Sequence, residues 1–347
     1  MLKVGIIGCG KIAEVRHAPD FAKNPEVELV AFYNRTQERA EAMAKKYGGK
    51  VYATIDELLS SDIDAVSVCN ANSDHAEVTI KALRAGKHVL CEKPMAVTLA
   101  DCEAMVMEAE KAGKLLMLAH NQRFMEAHVK AREMIEAGML GRILSFRTTF
   151  GHPGPERWTG KADTWFFDKE KARLGVIADL GIHKTDLVHY LLGEPITQVL
   201  ALIGTFDKRY PDGSPINVDD NAFCLYTTAS GIMGSMHVSW TFYGQADNST
   251  IIYGTEGILR LYDDPDYPLI FEKKSGDIER FGQDELISDK DQGSGERKST
   301  GVIDHFVDSV LGYTKCRIDG REALKAMRVI FAAEESAKTG RSITVTA

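Results

Sequence analysis

The sequence predicts an α/β chain in two parts: a doubly wound, parallel-sheet domain over residues 1–120, then an α+β domain over 121–347 with a large, mainly antiparallel sheet. Three observations predict it. Short β-branched runs alternate with amphipathic segments in the first third, as in βαβ units. A glycine-rich turn closes the first of those runs. Past about residue 140 the apolar period changes from helical to two.

In the first part the strand-like runs are Val4 to Ile7, Leu29 to Tyr33, Ala65 to Cys69, His88 to Cys91 and Leu115 to Ala119. Between them Glu38 to Tyr47, Glu77 to Ala85 and Leu99 to Ala112 carry helix formers. Each is followed by a glycine (Gly48, Gly86, Gly113) where a helix end favours positive φ. A further helix is expected around Met125 to Ala137.

In the second part Leu144, Phe146, Thr148 and Phe150 alternate with smaller or polar residues, as do Met236, Val238, Trp240 and Phe242. Ser230-Gly231 joins the latter run to Ala222–Thr228 as a hairpin, and Gly254-Thr255-Glu256-Gly257 joins Thr250–Tyr253 to Ile258–Leu261. Such a sheet needs cover from helices or from a second subunit, so a homodimer or homotetramer through the C-terminal sheet is expected. Ser288–Thr300 is polar and reads as a mobile loop. The chain closes with a helix from about Arg321 to Thr339, with Asp319 as N-cap and Gly340 as stop.

Composition narrows the function. The 347 residues are 44% hydrophobic and 27% charged, and the formal charge of -8 comes with no basic run, which argues against nucleic acid and acidic membrane surfaces as partners. No apolar segment approaches a bilayer span. Cys9, Cys69, Cys91, Cys102, Cys224 and Cys316 lack metal or redox spacing and read as free thiols in a reducing compartment. The first core strand starts within a few residues of Met1, which leaves no room for a signal peptide, so a cytoplasmic protein is expected.

Gly8-Cys9-Gly10-Lys11-Ile12-Ala13 follows a strand and opens a helix, the context that gives G-x-G-x-x-A meaning. Gly8 permits the tight turn, Gly10 admits a pyrophosphate, Ala13 allows close packing, and helix N–H groups hold the phosphates. A dinucleotide is therefore the expected cofactor. The second strand ends Tyr33-Asn34-Arg35 with no carboxylate for a ribose 2′-hydroxyl; Asn34 can bond a ribose hydroxyl and Arg35 can pair with a 2′-phosphate, which favours NADP over NAD.

Lys93, in Cys91-Glu92-Lys93-Pro94, ends a core strand beside the crevice where open α/β sheets bind ligands. Asp179, His183 and Asp186 share one face if their segment is helical, and an imidazole flanked by carboxylates suits general acid–base work. The same spacing also describes a capped helix with a structural histidine. A metal is not expected, since His183 and His189 lack zinc-ligand spacing.

With Ala85-Gly86-Lys87-His88-Val89-Leu90-Cys91-Glu92-Lys93-Pro94 and Gly175-Val176-Ile177-Ala178-Asp179-Leu180-Gly181-Ile182-His183 added to the N-terminal turn, the chain resembles the Gfo/Idh/MocA oxidoreductases over nearly its whole length. Gly254-Thr255-Glu256-Gly257 also resembles that family. The resemblance implies a Rossmann NAD(P)-binding domain and hydride transfer between nicotinamide C4 and a secondary alcohol or ketone carbon of a sugar, cyclitol or related polyol. It implies that Lys93, Asp179 and His183 line the nicotinamide pocket, His183 accepting the hydroxyl proton and Lys93 stabilising charge on the same oxygen, with the proton carrier left open between the two. Asn70, Asn72, His75 and Glu92 fall on the cofactor side. Two stretches depart from the common pattern: Asn70-Ala71-Asn72 stands for Thr-Pro-Asn, and Arg173-Leu174-Gly175 for a glycine triplet.

Asn121 and Arg123 resemble a family motif and serve either as substrate contacts or as anchors. The stretch Gly151–Phe167, with His152, Arg157, Trp158 and Trp165, is expected to frame a sugar or cyclitol, unless the tryptophans only pack it onto the sheet. Two other functions remain open at this point: a glycoside hydrolase working by transient oxidation with retained NAD, and a non-catalytic nucleotide or sugar sensor.

Overall fold

The computed structural model describes residues 1–282 and 301–346, so the expected loop Ser288–Thr300 lies outside the described residues. The chain packs as two units, one from Met1–Asn121 plus the segment ending at Leu324, the other from Gln122 through the second sheet plus Lys325 onward.

The first unit carries six parallel strands: β1 (Leu2–Ile7), β2 (Val27–Tyr33), β3 (Lys50–Val51), β4 (Ala65–Val68), β5 (His88–Cys91) and β6 (Leu116–Leu118), in the order β3-β2-β1-β4-β5-β6. β1 pairs with β2 on one side and β4 on the other, so the connections reverse direction at β1. Burial on both faces explains the near-continuous apolar runs, and Ser67 in Ala65-Val66-Ser67-Val68 is the polar exception, fully buried. β3 has two residues and no period to read, so the sequence gives no sign of it.

The segment that returns to this unit was not foreseen. The helix Val302–Val310 sets Phe306 edge-on to Phe21 at 6.4 Å, Asn24 donates to Asp304 at 2.9 Å, and Leu118 N–H donates to the Ile318 carbonyl at 3.1 Å. A single cut at residue 120 assigns this segment to the second domain; its packing assigns it to the first.

The second unit is built on nine strands: β7 (Ile143–Gly151), β8 (Ile196–Gly204), β9 (Asn221–Thr228), β10 (Met233–Ser239), β11 (Thr250–Gly254), β12 (Gly257–Leu261), β13 (Leu269–Lys273), β14 (Ile278–Phe281) and β15 (Ile343–Thr344). Their order is β14-β13-β12-β11-β7-β10-β9-β8-β15, antiparallel except where β10 runs parallel to β7. The two expected hairpins form, β9 with β10 and β11 with β12. β8 escaped a period-two reading because both of its faces are apolar: Val199 and Ala201 are buried while Leu200 and Leu202 are exposed. Helices Glu126–Glu136 and Ile182–Leu192 pack against each other and against strands of this sheet. The last helix runs Gly320–Thr339; Asp319 caps it by accepting from Glu322 N–H at 2.9 Å, and Gly340 ends it with φ 67°.

Candidate active site

Parallel pairing brings the C-terminal ends of β1, β2, β4 and β5 to one edge of the first sheet, and every candidate cofactor residue lies just past one of those ends. After β1, Gly8 has φ 97°, and an added Cβ would lie 2.6 Å from the Cys69 carbonyl carbon, so only glycine fits. At Gly10 an added Cβ would meet nothing within 4 Å, which leaves the space over the turn open. Lys11 and Ile12 then begin the helical segment that continues as a π-helical turn over Ala13–His17. After β4, the buried Asn70 Oδ1 has no hydrogen-bond partner among the described residues. A glycine cradle open on one side, helix-start N–H groups and an orphaned amide oxygen together fit a dinucleotide.

Asn34, at the end of β2, is tied to the glycine turn. Its Oδ1 accepts from Cys9 N–H at 2.9 Å and its Nδ2 donates to the Thr36 carbonyl at 2.8 Å, so it braces the glycine turn. Arg35 is exposed, as is Arg39, whose charge is felt at Cys9. Burial pushes the Cys9 thiol up to about 12. Sequence reading missed Arg39, although a second arginine four residues after Arg35 was there to be seen.

Past β5, Glu92 is 9% exposed and its Oε2 accepts from Lys93 N–H at 3.1 Å. Its other oxygen, Oε1, lies 2.7 Å from His17 Nε2, and His17 Nδ1 lies 2.7 Å from Ser67 Oγ. Burial opposes the charged imidazole, but the Cys69 sulfur and the Glu92 carboxylate outweigh it and raise His17 to about 10. Burial likewise opposes the Glu92 carboxylate, and His17 outweighs it, holding Glu92 down near about 2. His17 carries no motif. Its one sequence signal is that it falls four residues after Ala13, on the helix face that also buries Phe21. His75, 1% exposed, sits with Nδ1 2.7 Å from the Pro94 carbonyl and Nε2 3.3 Å from that of Asn70, bridging the β4 and β5 loops; burial lowers its pKa.

In the second unit Asp179 lies in a π-helical turn, Ile177–Gly181, that runs straight into the helix bearing His183. Three ties fix this element. Asp219 accepts from Gly175 N–H at 2.7 Å and Ile177 N–H at 2.8 Å, a side-chain cap delivered from the loop before β9. Lys184 is fully buried, its Nζ 2.8 Å from the Asn248 carbonyl, and burial lowers its pKa to about 7. Arg123 forks onto Asp186 through Nε at 2.8 Å and Nη2 at 2.7 Å, both residues buried.

Of the two roles expected for Arg123, substrate contact or anchor, the 3% exposed side chain and its bonds to Asp186 favour the anchor, tying the Asn121–Phe124 turn to this helix. Asn121, whose Oδ1 is buried without a partner among the described residues, is the last residue of the first unit. Asp179 Oδ2 accepts from Trp240 Nε1 at 3.1 Å, and His183, 8% exposed, sits with its ring centroid 6.0 Å from that of Phe150.

Trp240 also links Asp179 to an aromatic row. Phe166 meets Trp240 edge-on at 6.5 Å, stacks on Trp165 at 4.0 Å and meets Trp158 at 6.1 Å. His152 Nδ1 accepts from Gly154 N–H, and Arg157 is exposed. Arg173, in the stretch that stands for the glycine triplet, has a positive φ of 63° with ψ −54°, a backbone that side chains rarely adopt. Its guanidinium bonds Glu334 at 3.1 Å and lies 5.7 Å from the Phe331 ring centroid, contacts that offset a strain on the order of 1–3 kcal/mol.

A dinucleotide turn on a doubly wound sheet, joined to a second unit that presents Asp179 and His183 from one helix, defines a two-domain nicotinamide-dependent oxidoreductase. Residues 2–120 match the model of the Gfo/Idh/MocA oxidoreductase family with its NAD-binding Rossmann fold, and residues 128–260 match the Gfo/Idh/MocA C-terminal domain. The chain belongs to the Gfo/Idh/MocA family. It is 32% identical to 1,5-anhydro-D-fructose reductase of Ensifer adhaerens over 67% of both chains, and 27% identical to myo-inositol 2-dehydrogenase of Thermotoga maritima over 95% of this chain and 100% of that one. It superposes on levoglucosan dehydrogenase in complex with NADH and levoglucosan with a TM-score of 0.87, 25% identity and 100% of each chain covered. Its cofactor is NAD or NADP.

The buried His17–Glu92 pair sets a pH dependence of stability. His17 is raised by folding, so its contribution is complete below about 6.5 and is lost as the pH climbs toward about 10. Glu92 is lowered, so its contribution is complete above about 4.5 and is lost as the pH falls toward about 2. Urea unfolding across the range from about pH 6 to about pH 10 should show stability falling in the wild type, and a flatter profile in His17→Gln. Parallel profiles would show that the pair has no such linkage.

Proposed function

We propose that this oxidoreductase acts on a secondary alcohol or ketone carbon of a sugar, cyclitol or related polyol. The observation that carries this reading is the aromatic row Trp158–Phe166–Trp165 that runs to Trp240 and, through it, to the Asp179 carboxylate. Flat aromatic faces beside a fixed acceptor suit the C–H face and hydroxyls of a ring polyol. The names of the relatives, which concern an anhydrofructose, an inositol and levoglucosan, support the same substrate class.

Bound nicotinamide supplies the C4 that takes or gives the hydride. In the oxidative direction His183 accepts the proton of the substrate hydroxyl, Lys93 binds the same oxygen and stabilises the charge growing there, and Asp179 fixes the pair electrostatically. The Gly8–Gly10 turn with Lys11 and Ile12 takes the pyrophosphate, and Asn70, Asn72, His75 and Glu92 shape the nicotinamide side. Exposed Arg35, seconded by Arg39, with no carboxylate at the end of β2, favours NADP. Five buried free thiols accord with a reducing compartment, the cytoplasm. Among the described residues no helix is long and apolar enough to cross a membrane.

Among the described residues the second sheet has one exposed apolar face: Leu202 is 72% exposed, Met233 65% and Leu225 59%, and Phe223 on β9 lies opposite Leu202 on β8. A second copy of this chain, presenting the same face, would bury these rows and make a homodimer or a pair within a tetramer.

Three tests follow from this reading. With a panel of polyols and aldoses, reduced nicotinamide should form in step with product, and Lys93→Met or His183→Ala should lower kcat at least about 100-fold. Unchanged turnover in both variants would sink the assignment, and product without net cofactor change would indicate hydrolysis by transient oxidation. Arg35→Ala should lose about tenfold in kcat/KM with NADP and little with NAD, and retention of full NADP preference overturns the cofactor argument. Sedimentation should show an oligomer for the wild type and a monomer for Leu202→Glu/Leu225→Glu; a monomeric wild type removes the interface.

A further inference from the structure

His17 lies outside every motif, yet it is 3% exposed and both of its ring nitrogens are engaged. One nitrogen reaches β4 through Ser67 Oγ, which itself lies 3.4 Å from Cys69 Sγ, and the other reaches the end of β5 through Glu92. The ring therefore sits between the helix that starts at the cofactor turn and the two strand ends that carry Asn70 and Lys93. We propose that His17 is a positioning residue for Lys93, acting through Glu92: its ring holds one carboxylate oxygen, leaves the other on Lys93 N–H, and offsets the negative charge that the Lys93 ammonium faces.

Glu92 has two oxygens and two partners, His17 on Oε1 and the Lys93 backbone on Oε2. A carboxylate clamped at both oxygens cannot rotate, so the turn carrying Lys93 inherits its orientation from His17. Lys93 and Glu92 sense each other's charge. Among the described residues, titratable groups that act on this network include Cys69 on the loop after β4, Cys91 on β5, and His75 with Asp74 at the start of the next helix. Burial lowers the pKa of His75 and raises the Cys91 thiol, and the cations that act on Glu92 are His17 first and then Lys93 itself.

Removing His17 leaves Glu92 as an uncompensated anion beside Lys93, so the ammonium becomes harder to deprotonate. Removing the Glu92 charge has the opposite effect, and with it gone His17 no longer has the carboxylate through which it reaches the Lys93 turn. The inference rests on Lys93 meeting the substrate oxygen, but its test does not. Full-length protein labelled with 13C at lysine Cε, with the Lys93 resonance assigned through Lys93→Met, gives the ammonium titration directly. His17→Gln should raise the Lys93 pKa by about one unit, Glu92→Gln should lower it, and the double variant should match Glu92→Gln. A Lys93 titration unmoved by His17→Gln overturns the proposal, as does a His17→Gln effect of the same size in the Glu92→Gln background. If His17→Gln does not fold, Glu92→Gln decides alone: a fall in the Lys93 pKa supports the proposal and no change overturns it. Loss of the catalytic reading would register separately, as activity surviving in Lys93→Met.

Discussion

Parallel pairing of β1 with both β2 and β4 is the constraint from which the cofactor half of this protein follows. Because the strands run the same way, their exits share an edge, and residues 60 to 90 positions apart in sequence come to one rim of the sheet. Gly8 shows how tightly the rim is closed, since its missing Cβ is what lets the turn pass the Cys69 backbone. Asn34 then locks that turn from β2 through Cys9 N–H. Glycine and asparagine here are conditions of the strand order, and the residues that meet cofactor stand on that frame.

The second unit solves a different problem, which is to hold one short helix at a fixed rotation. Asp219 supplies the cap that the helix start lacks, and Gly175 is where backbone meets backbone: an added Cβ would lie 1.9 Å from the Asp219 carbonyl oxygen. Lys184 and Asp186 leave the same helix one on each side of Thr185, and each is tied to other parts of the unit. With cap, lysine and carboxylate fixed, the azimuths of Asp179 and His183 are determined. The π-helical turn carrying Asp179 adds a local wide turn just before His183, a feature that recurs at functional sites.

What could be read from sequence was the part written in short-range pattern. Strand period, the glycine after each helix and the two hairpin turns all act over a few residues, and they were legible. So was the cofactor turn, because its spacing is itself the mechanism. The remainder is written in pairs that topology alone brings together. His17 finds Glu92 across 75 positions, and Arg123 finds Asp186 across 63. From sequence Arg123 looked equally suited to substrate or scaffold, and nothing within reach of it along the chain could decide. Leu200 and Leu202 hid β8 for a related reason: an apolar outer face erases the alternation that marks a half-buried strand.

Each unit thus places its candidate reactive groups with a buried ion pair, His17–Glu92 in the first and Arg123–Asp186 in the second. Such pairs are poor devices for stability alone, because the desolvation of two charges consumes most of their attraction and apolar side chains of similar size often serve as well. What apolar packing cannot supply is direction. A bidentate guanidinium or a carboxylate clamped at both oxygens fixes torsions that a leucine would leave to van der Waals contact. Hydride transfer to or from nicotinamide tolerates little misplacement of the groups around it, so direction is the scarcer quantity here. On that argument each pair fixes a direction, His17–Glu92 for the turn that bears Lys93 and Arg123–Asp186 for the helix that bears His183, and burial keeps water from competing for those partners.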